Sequence, residues 1–480
     1  MSDIEKDHRS PSLTTEDPAS QQEVQLQSTE KEAPQEIQEP PTHEEFKEGG
    51  YGWVVVIATF FLNAHTWGLN SSYSVFLAYY LRTDAFQTSA IAYAFVGGLS
   101  VSIALLVSPI ATFLAGWKKY GTRLTIFTGV IFETVGFIGS SFSTKLWHLI
   151  LSQGVSFGIG MGLIFVASAP VAAQWFRRKR SLANGCTAAG SGFGGLTYSL
   201  ATNAMIQRIG LAWTFRALAI ICFVVNGVAS CFIRDRNHAV GSVHIAFHWS
   251  LFRRPSFILF QLWLFLSMLG YTILVFSIVA YAQAVGLSAS QASIVGALFN
   301  LSQGLGRPFI GLSSDSAGRL NIANLCTLWC SILCFFVWTF GARTFAGCVV
   351  FALLSGAVAG VMWATVTPVC AEVVGLPLIP AALSLTWLVL VLPSTFAEVI
   401  GLSLRKSGPW EYRDVQLYTA AMYLGAFIFG WILRAWKVWD IEQTQPDTRN
   451  STELRRHNSR ASTVKEKILH LKGLWAIKRV

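Results

Sequence analysis

The chain has 480 residues, of which 52% are hydrophobic and only 13% charged, and its mean hydropathy is +0.48. A soluble protein would carry about a quarter charged residues; here the apolar residues come in long runs between short charged loops, which excludes a large water-soluble core. The net charge of +10 conceals a division, because residues 1–50 hold 13 acidic and 4 basic side chains and leave 32 basic against 13 acidic for the remainder. That basic surplus lies in loops and a C-terminal tail, which argues for topology and lipid contact and against nucleic acid as a partner.

Residues 1–50 are rich in Pro, Gln, Glu, Ser and Thr and show no apolar run of the signal-peptide kind. They read as a disordered, acidic, cytosolic tail. At Glu48-Gly49-Gly50-Tyr51-Gly52-Trp53 the tail turns into a helix, and Val54 to Tyr80 carries no formal charge. That run exceeds the roughly 20 residues needed to span a bilayer. The glycines suit a close turn, and Tyr51 and Trp53 suit anchoring at headgroup depth.

Twelve spans follow, near 52–80, 87–114, 122–142, 146–172, 181–207, 211–233, 256–283, 288–312, 320–341, 345–371, 376–403 and 414–436. The expected fold class is therefore all-α, a polytopic membrane protein of twelve transmembrane helices. A six-helix half over 51–233, a central cytoplasmic loop at 234–255, a second half over 256–436 and a basic cytosolic tail at 437–480 make up the chain. With the N-terminus inside, cytoplasmic loops hold Lys118, Lys119, Arg123, Arg177, Arg178, Lys179, Arg180, the central arginines 234, 236, 253 and 254, and Arg319. Fewer basic residues fall on the opposite side, so both termini read as cytoplasmic. In the tail, Val464, Ile468, Leu471 and Trp475 recur at helical spacing among lysines. They suit either a basic helix on the inner leaflet or a frayed end.

Cofactor and metal chemistry find no support. Cys326, Cys330 and Cys334 repeat on one helix face, yet no loop supplies matching ligands, so they read as packing residues. No Gly-x-x-x-x-Gly-Lys-Ser/Thr loop is present to bind ATP. Three Asn-x-Ser/Thr sequences, at Asn70, Asn300 and Asn450, lie in spans or in the cytosolic tail, where glycosylation does not reach.

After span 8 the chain reads Gly306-Arg307-Pro308-Phe309-Ile310-Gly311-Leu312-Ser313-Ser314-Asp315-Ser316-Ala317-Gly318-Arg319. This resembles the G-R-x-x-x-G-x-x-x-D-x-x-G-R loop of the major facilitator superfamily, matched by Gly306, Arg307, Gly311, Asp315, Gly318 and Arg319, of which Gly306, Asp315, Gly318 and Arg319 are the implied gating positions. A degenerate counterpart after span 2 keeps Gly121 and Arg123, as the internal repeat of that fold would have it. Trp175 to Gly185, continuing to Gly192, and the opening Glu48–Trp53 element are similar to those of the monocarboxylate porters, and the first span resembles their fungal branch. The resemblance implies a secondary transporter that moves an organic acid or a related fungal metabolite by alternating access between two halves. Export of a secondary metabolite and uptake of a nutrient both fit, as does the plasma membrane, with the vacuolar membrane as the alternative. A proton-coupled importer of a small monocarboxylate and a non-transporting nutrient sensor are the competing readings. The implied partners are a small organic solute, the bilayer and, for a coupled carrier, protons; the chain does not read as an enzyme.

Residue by residue, the resemblance is incomplete. Animal monocarboxylate porters share a lysine in span 1 and an Asp-x-x-x-Arg pair in span 8; here those positions hold Ser71, Gln303 and Arg307. On span 1, Asn63, Trp67, Asn70 and Ser74 fall on one helical face with Ser71 at its edge, offering neutral hydrogen bonds and an aromatic wall. The same stripe also suits bonding between helices. Arg307 reads either as an anion site or as the structural arginine of the loop. Proton-coupling candidates are Glu398, Glu133 and His65, because an ionised carboxylate is costly at membrane depth and usually functional; His65 points nearly opposite the polar stripe. Glu372 is expected at the cytoplasmic gate. Gly185, Gly190, Gly192, Gly194 and Gly195 make span 5 smooth enough for close helix packing.

Overall fold

The computed structural model describes residues 49–83, 88–406, 408 and 410–444. The acidic tail, the C-terminal amphipathic pattern from Val464 to Trp475 and Asn450 lie outside these residues. Ten described helices are long and apolar enough to cross a membrane. They begin with α1 (Tyr51–Tyr80), α2 (Phe95–Gly116), α3 (Gly121–Ser141) and α4 (Leu146–Gln174), followed by the 53-residue helix Arg180–Phe232. At 1.5 Å per residue that helix would measure about 80 Å if straight, far more than one bilayer. It breaks at Gly210, whose φ of 77° and ψ of 168° are non-helical, into α5 (180–209) and α6 (211–232). The second series comprises α7 (Pro255–Ala284), α8 (Ala289–Ala317), α9 (Arg319–Gly341), α10 (Phe345–Val374), α11 (Ile379–Ser403) and α12 (Arg413–Gln443).

Helix α8 is long enough at 29 residues but too polar to stand among the ten. Its polar side chains Ser302, Gln303, Arg307 and Ser314 are buried within the protein. With α8 and the division at Gly210, the described chain forms twelve membrane-length helices, as the apolar runs predict. Large apolar side chains on the outer surface, such as Phe309, Val399 and Phe336 at 72%, 61% and 57% exposure, suit hydrocarbon contact. The chain is a multi-pass membrane protein.

Three apolar clusters draw only on residues before 234, two others only on residues after 254, and one joins the two series through α2, α4, α7, α10 and α11. The glycines of α5 serve both directions. A Cβ on Gly194 would come within 2.8 Å of the Ala64 backbone in α1, and one on Gly192 within 2.5 Å of the Gly304 nitrogen in α8. No side chain fits at either contact, so α5 lies backbone against backbone on α1 on one face and on α8 on the other.

Some expectations shift. Tyr51 and Trp53, both half-buried, also have protein partners: the Tyr51 hydroxyl donates to the Phe232 carbonyl at 2.9 Å, and the Trp53 ring packs edge-on against Phe176 at 5.0 Å. A Cβ on Gly52 would meet Trp175 and Phe176 at 3.0–3.1 Å. The two sequence elements that resemble the monocarboxylate porters are therefore one packed unit. Helix α1 contains a π-helical segment, Ala64–Gly68, that a regular projection does not foresee. Helix α12 continues to Gln443, past the expected end at 436.

Candidate functional site

A cavity of about 610 Å³ lies between the two helix series. Asn63, Trp67, Asn70, Ser71 and Ser74 of α1 all line it, so the polar stripe read from the sequence is one wall. The π-helical segment shifts register within that stripe without turning it from the cavity. Asn63 Nδ2 donates to the Thr187 carbonyl at 3.0 Å, and Asn70 Oδ1 accepts from Ser100 Oγ at 2.8 Å. Both asparagines are thus fixed by neighbouring helices, and Ser71 Oγ bonds back to the Trp67 carbonyl at 3.0 Å.

Arg307 of α8 also lines the cavity, although only 3% of it is exposed. Its Nη1 donates to the Ala188 carbonyl at 2.7 Å and to Ser191 Oγ, both on α5. Its Nη2 donates to Gln303 Oε1 at 2.7 Å and to the Tyr271 hydroxyl at 3.4 Å. All of these acceptors are neutral, and no described carboxylate pairs with this guanidinium. Gln303 does not line the cavity; it braces Arg307 from one helical turn below and accepts from Tyr271 at 2.9 Å. The pair thus has a polar brace where the family pattern has a counter-ion. Among the described residues, the charged side chains lining the cavity are Arg82, Arg307 and Glu398, a net positive set.

The proton-coupling candidates separate. Glu398 of α11 lines the cavity. Glu133 is fully buried between α3 and α6, where its Oε2 accepts from Asn226 Nδ2 at 2.8 Å, away from the cavity. His65 lies outside the lining as well, with Nδ1 bonded to the Phe61 carbonyl at 2.9 Å and its ring edge-on to Tyr198 at 5.5 Å.

The Gly306–Arg319 stretch divides too. Gly306 lies within α8, where a Cβ would meet the Ala357 backbone of α10 within 2.7 Å, so it is a packing position. Asp315 ends α8 and accepts from the backbone nitrogens of Ser181 at 3.0 Å and Leu182 at 2.8 Å, the first turn of α5. A carboxylate there meets unpaired donors and the positive end of the helix dipole. Gly318, at φ 107°, turns the chain so that Arg319 faces Asp315 at 3.6 Å, pairs with Glu372 and donates to the Arg177 carbonyl at 2.9 Å. With Asn184 Nδ2 bonded to the Ala364 carbonyl at 2.7 Å and Ser108 Oγ to the Ser384 carbonyl at 3.0 Å, these contacts close this side between the two series. The cavity opens at the opposite end, beside Arg82, Gln207 and Gln283.

The central loop joins that closure. Val243 N donates to the Pro377 carbonyl at 2.8 Å, Ser384 Oγ to the Ala246 carbonyl at 3.0 Å, and Gln174 Nε2 to Asn237 Oδ1 at 2.8 Å. His244 sits against Gly116, where a Cβ would collide with it, and burial holds its imidazole pKa below the ordinary value of 6.5.

Sequence reasoning missed Phe165, Tyr271, Trp363 and Trp387, which line the cavity beside Trp67. The Trp67 ring stands 5.2 Å from Phe165 and 5.2 Å from Trp363, and Trp363 stacks on Trp387 at 5.8 Å and 15°. Tryptophans in mid-span, away from the membrane interfaces where they concentrate, are the signal that could have found them.

Residues 55–266 match the family model described as Major Facilitator Superfamily. The "Probable transporter MCH2" of Saccharomyces cerevisiae is 31% identical over 398 residues, covering 81% of this chain and 84% of that protein. The "Agnestins efflux protein AgnL12" of Paecilomyces divaricatus is 25% identical over 67% of this chain and 73% of its own length. Among solved structures, the proton:xylose symporter XylE superposes with a TM-score of 0.63 at 15% identity, covering 79% of this chain and 95% of that one. At that identity the likeness speaks for the fold.

Proposed function

Because this chain belongs to the Major Facilitator Superfamily, we propose that it is a secondary transporter, of the fungal monocarboxylate-porter kind, that moves an organic acid or related metabolite by alternating access. One observation carries the anionic cargo. Arg307 is a buried cation on the cavity wall whose described partners are all neutral acceptors. A charge kept at membrane depth without a counter-ion is costly, and a carboxylate arriving in the cavity would supply one. The bidentate fork of a guanidinium suits that ligand.

The cavity volume, several times that of a two- or three-carbon acid, and the loss of the lysine at Ser71 support a larger cargo. With both termini inside, as the loop charges argue, the cavity faces outward and the Asp315–Arg319 side is the closed cytoplasmic gate. The name of the agnestins efflux relative supports export of a pathway product, and the plasma membrane is then the proposed location. Proton-coupled uptake is the second reading, favoured by Glu398, a carboxylate in the same cavity as Arg307.

Accumulation of labelled organic acids in intact cells with the gene, without it and with Arg307→Gln tests the proposal. A cargo gradient that depends on the gene and is lost in Arg307→Gln, with surface expression intact, supports it. Accumulation that is the same in all three removes both the transport reading and the role of Arg307.

A further inference from the structure

We propose that the cavity selects planar aromatic carboxylates over aliphatic acids of the same size; this rests on the reading of Arg307 as the anion site. The cation and the aromatic wall adjoin. The Tyr271 hydroxyl touches Arg307 Nη2 at 3.4 Å, while the Tyr271 ring lies 6.3 Å from that of Trp363. On α10, a Cβ at Gly360 would stand 3.0 Å from Arg307 Nη2, and Trp363 follows one turn later. Tyr271, Trp67 and Trp363 are all partly exposed to the cavity they line.

Aromatic rings attract one another face-offset or edge-on, whereas a saturated ring offers no complementary quadrupole. A carboxylate held on Arg307 therefore places a ring attached to it against Tyr271 and Trp363. Trp387 is fully buried and Phe165 nearly so, whereas Tyr271, Trp67 and Trp363 are left open, and Tyr271 among them touches the cation. Trp67 comes from the first helix series, and Tyr271 and Trp363 from the second. A ring between them touches both halves of the carrier.

The full-length protein purified in detergent, probed by equilibrium dialysis, tests this with three anions: 2-naphthoate, its saturated decahydro analogue and lactate. Naphthoate should bind about tenfold more tightly than the saturated ring, and lactate more weakly than either. Trp363→Leu, or Trp67→Leu should the first fail to fold, should narrow that difference; Trp363→Phe should keep it. Arg307→Gln should weaken naphthoate and the saturated acid together. Equal affinity for the two ring acids, or tighter binding of lactate, overturns the aromatic preference while an effect of Arg307→Gln leaves the organic-acid reading standing. If Arg307→Gln changes the binding of no anion, the organic-acid reading falls and this inference with it.

Discussion

Replacing Asp315 with Asn perturbs the closure between the two helix series with almost no change of volume. The carboxylate accepts two backbone hydrogen bonds, from Ser181 at 3.0 Å and Leu182 at 2.8 Å, and faces Arg319 at 3.6 Å. An amide keeps one acceptor and turns its NH₂ group toward a second N–H donor, so at least one charge-assisted bond is lost. Such a bond contributes about 1.5–3 kcal/mol. At 1.4 kcal/mol per tenfold, the ratio of outward-open to inward-open protein should fall roughly tenfold to a hundredfold. No native cysteine lines the cavity, so a cysteine placed at Ser74 reports access. Labelling of Ser74→Cys by a membrane-impermeant maleimide from outside should slow several-fold when Asp315→Asn is added. Unchanged labelling would refute the assignment of Asp315 as a gate that holds this conformation.

Gly192→Ala should abolish transport and lower thermal stability, because its Cβ would lie 2.5 Å from the Gly304 nitrogen and 2.7 Å from its Cα; Gly227→Ala, with nothing within 4 Å, is the control for helix substitution as such. Glu398→Gln should flatten the pH dependence of transport, whereas Glu133→Gln, away from the cavity and bonded to Asn226, should keep it; the reverse pattern moves the proton to α3. Burial lowers the pKa of His244 in the docked loop from 6.5, so the undocked loop binds the proton more readily and docking is most favoured above that pH. The protection of amides 241–248 against hydrogen exchange, taken relative to the intrinsic rate at each pH, should therefore fall below pH 6.5, and His244→Gln should remove the trend.

The apolar runs made the twelve helices legible, since length without charge is what a bilayer demands of a helix. Their polar exceptions were legible as well: the α1 stripe and Arg307 stand out because hydrocarbon tolerates such residues only for a reason. What the sequence could not show was depth and rotation. Glu133 and Glu398 read alike along the chain, and only the packing of α6 against α3 puts the first beside Asn226 while α11 brings the second to the cavity. Trp363 and Trp387 were marked only by their place in mid-span, because composition alone does not tell an aromatic side chain facing a cavity from one facing lipid. The packing of Tyr51 and Trp53 on Trp175 and Phe176 was hidden too, since rings that suit a headgroup also suit other rings. The docking of the central loop was not legible because two of its anchors, Val243 and Ala246, bond through the backbone, which no side-chain pattern reveals.

Counterflow in proteoliposomes tests the central claim most directly. Vesicles carrying the purified protein and loaded with an unlabelled organic acid should take up the labelled acid transiently above its equilibrium level, as exchange through an alternating carrier requires. Arg307→Gln should lose that overshoot, with Arg307→Lys retaining part of it through the preserved charge. An overshoot of the same size in Arg307→Gln would contradict the account.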